Sequence, residues 1–327
     1  MEMVKHFTTT DLHAAGEPLR VITAGIPYLK GKTMLEKQGY FNENYGYVKK
    51  ILLSEPRGHL GMKGCIITPP DDAASDCGIL FLQHEEVSSL CSHSIVAVVT
   101  YLLETGVVRL SDEKQQVIID TLAGKVITNP VYERSQVKSV SFDYLPAYVY
   151  KENITLNILK KEMTVNLAFC DSFYAIVNAA KIDLNIEIDR LPELHRWSKY
   201  IRNELTNILP DNQSIKGVVF CESPPLSKAD IRQVTVFDNG QIERSPFGAG
   251  SATHMALLKN EGKLGVGDSM IYESIVGAST KCKISSINEE VFNTSVISRI
   301  NARAFITGMH QFVVDPSDPL FDGFLLK

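Results

Sequence analysis

Two short loops of small residues each run straight into an apolar, helix-like segment, and they recur about half the chain apart. The first is Cys91-Ser92-His93-Ser94, followed by Ile95, Val96, Val98, Val99, Leu102 and Leu103. The second is Phe247-Gly248-Ala249-Gly250-Ser251, followed by Ala252, Met255, Ala256, Leu257 and Leu258. A helix over 93–106 with so many apolar positions must be buried around most of its circumference. A second helix is expected over 249–260. Each is preceded by β-rich sequence, so the pattern predicts an α+β chain of two similar halves, each a central helix wrapped by strands. We place the boundary between 150 and 165. That gives an N-terminal half, 1–160, with the Cys91 loop, and a C-terminal half, 161–327, with the Phe247 loop. The last strand is left free to cross back to the first half.

The β background is legible in several places. Gln116-Val117-Ile118-Ile119-Asp120 and Lys125-Val126-Ile127-Thr128 flank a turn at Gly124, and Ser139-Val140-Ser141-Phe142 alternates polar and apolar within 137–150. The stretch 230–242 reads as a hairpin turning at Asp238-Asn239-Gly240, because Asn-Gly favours the tight turns that join antiparallel strands. A third helix, amphipathic and charged on one side, is expected over 188–207.

Composition narrows the function. A chain of 327 residues with 44% apolar and 22% charged side chains suits two ordinary globular domains. A net charge of -5 argues against a nucleic-acid partner, whose phosphates attract basic surfaces. No apolar run is long enough to span a bilayer, and the start lacks the basic and apolar regions of an export signal, so a cytoplasmic protein with no membrane partner is expected. The six cysteines (Cys65, Cys77, Cys91, Cys170, Cys221 and Cys282) form no C-x-x-C pair. Neither a zinc site nor a disulfide framework is expected. Gly248-Ala249-Gly250-Ser251-Ala252-Thr253 lacks the third glycine of a dinucleotide fingerprint, and the G-x-S-x-G and H-E-x-x-H motifs are absent.

The two loops remain as the places for chemistry. A helix start leaves N–H groups unpaired and carries partial positive charge, which suits a carboxylate or phosphate. Cys91 stands immediately before its helix, where the thiolate is stabilised and the thiol pKa is expected to fall toward neutrality. His93 is placed to assist it. By position alone, Cys91 as a buried spacer and His93 as a capping residue remain open.

Five segments carry a family resemblance. Asp11-Leu12-His13-Ala14-Ala15-Gly16-Glu17-Pro18, Glu55-Pro56-Arg57-Gly58-His59, Cys91-Ser92-His93-Ser94, Glu243-Arg244-Ser245-Pro246-Phe247-Gly248-Ala249-Gly250, and 305–319 resemble, in order, the proline racemase family. The resemblance runs from about residue 8 to 325. It implies the fold of diaminopimelate epimerase, two pseudo-symmetric halves each a β-roll around a central helix, with the active site in the cleft between them. It also implies removal of the α-hydrogen of a small free amino acid without pyridoxal phosphate, metal or other cofactor. Helix-start N–H groups would bind the substrate carboxylate, and a cysteine from each half would flank the α-carbon. Members with one cysteine replaced include dehydratases of trans-3-hydroxy-L-proline.

On this resemblance Cys91 is the first catalytic cysteine, and Ser92, His93, Ser94, Glu243, Gly248, Ala249 and Gly250 line the substrate site. The second cysteine falls on Phe247, which has no proton to exchange. Ser92 and Ala249 replace a glycine and a threonine, and Glu243 replaces an aspartate that contacts the amine. His254, two helical turns beyond Phe247, is too distant to substitute. Three readings follow: a one-base dehydratase, a proline racemase or 4-hydroxyproline epimerase with an unidentified second acid, and a non-catalytic amino-acid-binding homologue. A homodimer is compatible with all three.

Overall fold

The computed structural model describes residues 5–84, 87–209, 213–224, 227–289 and 294–326. The chain divides into two compact units, Met1–Phe142 with Ala302–Lys327, and Asp143–Asn301. The first contains β1 (Lys5–Ala14), β2 (Glu17–Ala24), β3 (Lys63–Thr68), β4 (Cys77–Leu82), β5 (Val87–Ser88), β6 (Val117–Thr121), β7 (Gly124–Glu133) and β8 (Gln136–Asp143), which ends at the boundary. The second contains β9 (Tyr148–Ile158), β10 (Lys161–Cys170), β11 (Ser172–Asn178), β12 (Ile215–Glu222), β13 (Ile231–Phe237), β14 (Ser269–Ser274), β15 (Ser279–Glu289) and β16 (Thr294–Ala302). The final strand, β17 (Ala304–Val314), returns to the first unit.

The strand order shows the repeat. In the first unit it is β17-β1-β2-β3-β4-β6-β7-β8, antiparallel except at β2–β3 and β4–β6. In the second it is β9-β10-β11-β12-β13-β14-β15-β16, antiparallel except at β11–β12 and β13–β14. The exceptions occupy the same two places. Parallel neighbours need a long crossover, and helices supply it at each. In the first unit these are α1 (Met34–Tyr45) and α2 (Tyr47–Leu53) after β2, then α3 (Ser92–Glu104) after β5. In the second they are α4 (Leu191–Leu205) after β11 and α5 (Ala249–Asn260) after β13. The tight turns correspond too: Ala15 and Gly16 take positive φ (50° and 89°) between β1 and β2, as does Asp171 (60°) between β10 and β11.

Burial explains which helix is central. Every residue of α3 from Ser92 to Leu103 is buried, and the helix packs on β1, β2 and β17. Helix α5 is buried from Ala249 to Leu257 and packs on β9, β10, β11 and β13. The outer helices are amphipathic by contrast. Leu194, Trp197, Ile201 and Leu205 of α4 join Val218, Phe220, Val234 and Val236 in one core. Phe41 of α1 and Ile51 and Leu52 of α2 join Ile22, Ile66 and Leu80 in another. Each unit is therefore a β-roll around an apolar helix, with a second helical layer outside. No helix among the described residues is long and apolar enough to cross a membrane.

A buried arginine ties the first unit together. The Arg20 guanidinium donates to both Asp11 carboxylate oxygens (2.7–3.2 Å) and to the carbonyls of Leu52 (2.5 Å) and Arg57 (2.6 Å). It is 4% exposed and lies over the Phe312 ring, so strands β1, β2 and β17 and the end of α2 share one charged clamp.

Three expectations need correction. The units divide at 142/143 rather than 160/161, because β9 pairs along its length with β10 and belongs to the second unit. The hairpin over 230–242 reduces to one bridge, Val236–Ile242, after β13. Strand β13 already has β12 on one edge and β14 beside its first residues, so the chain leaves the sheet after the Gly240 turn. Helices α1 and α2 were not expected at all. Their start did carry a signal: Thr33 and Glu36 form a capping box, with Glu36 N–H donating to Thr33 Oγ1 at 3.2 Å.

Candidate active site

In the first unit the extended backbone of Cys91 (φ -141°, ψ 104°) caps α3, and its carbonyl accepts from Ile95 N–H at 2.9 Å. The thiol folds back over the first turn. Its Sγ lies 2.7 Å from Ser94 Oγ and 3.0 Å from His93 Nε2. Cys91 is 6% exposed, and His93 and Ser94 are still more buried. Ser92 is buried in the same turn.

The electrostatics correct the expected thiol. Burial pushes the Cys91 pKa up from its ordinary value rather than down. Opposing the burial are, in order, the positive charge of Lys63, the Ser94 hydroxyl and the Ser94 backbone N–H, while Glu17 adds to the rise. The helix-start argument named one of the stabilising groups, the backbone N–H, but omitted the Lys63 charge and desolvation, and desolvation is the largest effect here. The other five cysteines are also buried and free, and burial raises each of them, to about 12 for Cys77, Cys221 and Cys282.

Lys63 and Glu17 lie outside the residues that sequence reasoning put in the site. Strand alternation could have indicated Lys63. Ile66 belongs to the outer core with α2, and a Cβ on Gly64 would meet the Leu53 side chain at 2.9 Å, so this face of β3 is the outer one. Lys63 and Cys65 therefore face the opposite side, where α3 lies.

In the second unit the loop from β13 to α5 carries the remaining candidates. Glu243 N–H donates to Thr235 O at 2.9 Å, which fixes the loop's departure from β13. The Glu243 carboxylate is 7% exposed and accepts from Ser245 Oγ at 3.4 Å, and that hydroxyl also reaches Phe247 O at 3.2 Å. Phe247 is 1% exposed, a fully buried ring with no exchangeable proton.

Gly248 then adopts φ 123°, a conformation open to glycine and strained for other residues, and starts α5. Ser251 Oγ accepts from Gly248 N–H at 3.1 Å, so one of the orphan donors of the helix start is satisfied internally. Gly250 has a packing reason to be glycine: a Cβ there would sit 2.7 Å from Thr235 Oγ1. Ala249 is 9% exposed in the same turn.

His254 is occupied elsewhere. Its Nδ1 lies 3.0 Å from Tyr272 Oη, and burial lowers its pKa to about 4, leaving a neutral ring in the α5 core. The structure thus brings His93 and Ser94 each onto the Cys91 sulfur, and Glu243, Ser245 and Phe247 into one loop. No group of three or more His, Cys, Asp or Glu side chains that could hold a metal occurs among the described residues.

Paired β-rolls, each around a buried helix with its first turn in a loop of small and polar residues, define the diaminopimelate epimerase-like fold. The Proline racemase family profile matches residues 9–325. The chain is 40% identical to a trans-3-hydroxy-L-proline dehydratase of Bacillus cereus over 100% of both chains. It is 33% identical to a proline racemase of Clostridioides difficile, again over 100% of both. Among solved structures it resembles a hydroxyproline epimerase of Agrobacterium vitis with bound trans-4-hydroxy-L-proline. That match has a TM-score of 0.84 and 25% identity, and covers 98% of this chain and 95% of the other. The chain belongs to the proline racemase family and is an enzyme of isomerase or lyase type.

Proposed function

We propose that the enzyme is a dehydratase acting on trans-3-hydroxy-L-proline or a close analogue, with Cys91 as its single base. The observation that carries this reading is Phe247: where the family resemblance puts a second thiol, the loop has a buried hydrocarbon ring. Racemisation needs a proton delivered to the face opposite the one that lost it, and a phenyl ring delivers none. Elimination has no such requirement. The identity to a dehydratase (40%) against that to a racemase (33%) supports the same choice.

In this reading the Cys91 thiolate removes the α-proton. The charge that develops toward the substrate carboxylate is stabilised by the N–H groups at the start of α3. Departure of the 3-hydroxyl as water leaves an enamine that tautomerises to the cyclic imine. The Ser94 hydroxyl and the Lys63 charge favour the thiolate, which is the form that acts as base.

The test is direct. The enzyme should convert trans-3-hydroxy-L-proline to the cyclic imine, and should exchange the α-hydrogen of L-proline in D2O without forming D-proline. Accumulation of D-proline from L-proline at a rate matching exchange overturns the reading in favour of a racemase.

A further inference from the structure

We infer that His93 is the general acid that protonates the departing hydroxyl, on the same substrate face from which Cys91 takes the α-proton. The inference rests on the dehydratase reading and deepens it. Its starting point is stereochemical. In trans-3-hydroxy-L-proline the carboxylate and the hydroxyl lie on opposite faces of the ring. The α-hydrogen, opposite the carboxylate at C2, therefore shares a face with the C3 hydroxyl. Proton and leaving group depart from neighbouring carbons on one side, so base and acid must stand side by side.

The first turn of α3 provides that arrangement. Cys91 Sγ and His93 Nε2 are 3.0 Å apart, both side chains are held in place by burial, and both come from one rigid helix start. The other candidate acids fit less well. Ser94 Oγ lies 2.7 Å from the same sulfur, but a neutral hydroxyl is a far weaker acid than an imidazolium. His254 is neutral and bound to Tyr272 within the second unit.

The proton inventory closes within the pair. In the reacting form the one proton of the pair sits on the imidazole, as thiolate and imidazolium; burial disfavours that form, and the Lys63 charge and the Ser94 hydroxyl and N–H oppose the burial. The thiolate takes the α-proton and becomes a thiol. The C3–O bond breaks with its electron pair going to oxygen, the C2=C3 bond forms, and the imidazolium proton completes the water molecule. The pair is left as thiol and neutral imidazole, which returns to the starting form by moving one proton over 3.0 Å. No outside acid is consumed. A racemase cannot work this way, because the proton on His93 is on the wrong face.

The experiment compares wild type and His93→Gln on trans-3-hydroxy-L-proline and trans-3-fluoro-L-proline in D2O, following elimination and α-deuteration by NMR. Fluoride leaves without needing a proton, so it reports the base alone. The expected result is that His93→Gln loses water elimination at least about a hundredfold more than fluoride elimination, as removal of a general acid should do. An unchanged ratio of the two eliminations overturns the assignment, whatever the absolute loss. A second arm needs no variant. Wild type acting on cis-3-hydroxy-L-proline, whose hydroxyl lies on the opposite face from the α-hydrogen, should show an elimination-to-exchange ratio at least tenfold below that of the trans isomer. Equal ratios overturn the proposal. Wild type that leaves trans-3-hydroxy-L-proline intact while exchanging or racemising proline refutes instead the dehydratase reading on which it rests.

Discussion

Replacing Ser94 with alanine isolates the contribution of one hydroxyl to the reactivity of Cys91. The backbone N–H of residue 94 also faces the sulfur, and it survives the substitution. Only the contact of 2.7 Å from Ser94 Oγ is lost. A hydrogen bond to a charged acceptor contributes about 1.5–3 kcal/mol. At a factor of ten for each roughly 1.4 kcal/mol, the thiolate fraction at neutral pH should fall about 10- to 150-fold. Activity should fall with it and recover as the pH is raised, because alkali ionises the thiol without help. The measurement is thiolate ultraviolet absorbance against pH for wild type and Ser94→Ala, each corrected with a Cys91→Ser background, alongside kcat/KM against pH. Superimposable titrations of the two proteins would show that the Ser94 hydroxyl donates elsewhere and that the electrostatic account of Cys91 is wrong.

Three further outcomes are expected. Phe247→Cys should introduce slow racemisation of L-proline, detected by chiral chromatography. Because the ring is 1% exposed, the change should cost about 2–4 kcal/mol in urea unfolding. Arg20→Met should destabilise the protein by about 3–5 kcal/mol by leaving Asp11 and two carbonyls without their donor, and Asp11→Asn in the same chain should recover part of that loss. His254 has its pKa lowered to about 4 by burial against an ordinary value of 6.5. The unfolded chain then binds the proton first, so stability is intact above pH 6.5 and declines as the pH falls toward 4, by about 3 kcal/mol in all. Urea unfolding of wild type and His254→Gln across that range should show a shallower decline in the variant.

The central helices were readable because their apolar runs leave no solvent face, and the loops before them because small residues precede each run. The outer pair α1 and α2 was missed for the opposite reason. Lys37 sits on the buried side of α1, made tolerable by Asp71 at 2.6 Å and Pro69 O at 2.7 Å, so the helix shows a charge where an apolar residue would have marked its face. The boundary was misplaced because β8 and β9 follow each other through only a short stretch, Tyr144 to Ala147, with no composition change to mark it. The chemistry of Cys91 was legible in kind and not in sign. A helix start is a local property of the sequence, whereas the burial that dominates the thiol comes from strands distant along the chain. Lys63 shows the same limit, since its effect on Cys91 is set by the register of β3 against β2, Leu19 opposite Lys63.

The return of β17 to pair along β1, from Lys5–Val314 to Ala14–Ala304, makes the second unit an insertion in the first. During synthesis the inserted unit is contiguous and can close as soon as residue 301 has emerged. The surrounding unit cannot, because one edge of its first strand stays unpaired until nearly the last residue is made. At ribosomal speeds of about 5–20 residues per second, roughly 160 inserted residues hold that edge open for about ten to thirty seconds. An open edge is a template for pairing with other chains. The N-terminal half of this molecule is thus made first and completed last, and truncations at the C-terminus should unfold the part of the protein that begins at residue 5.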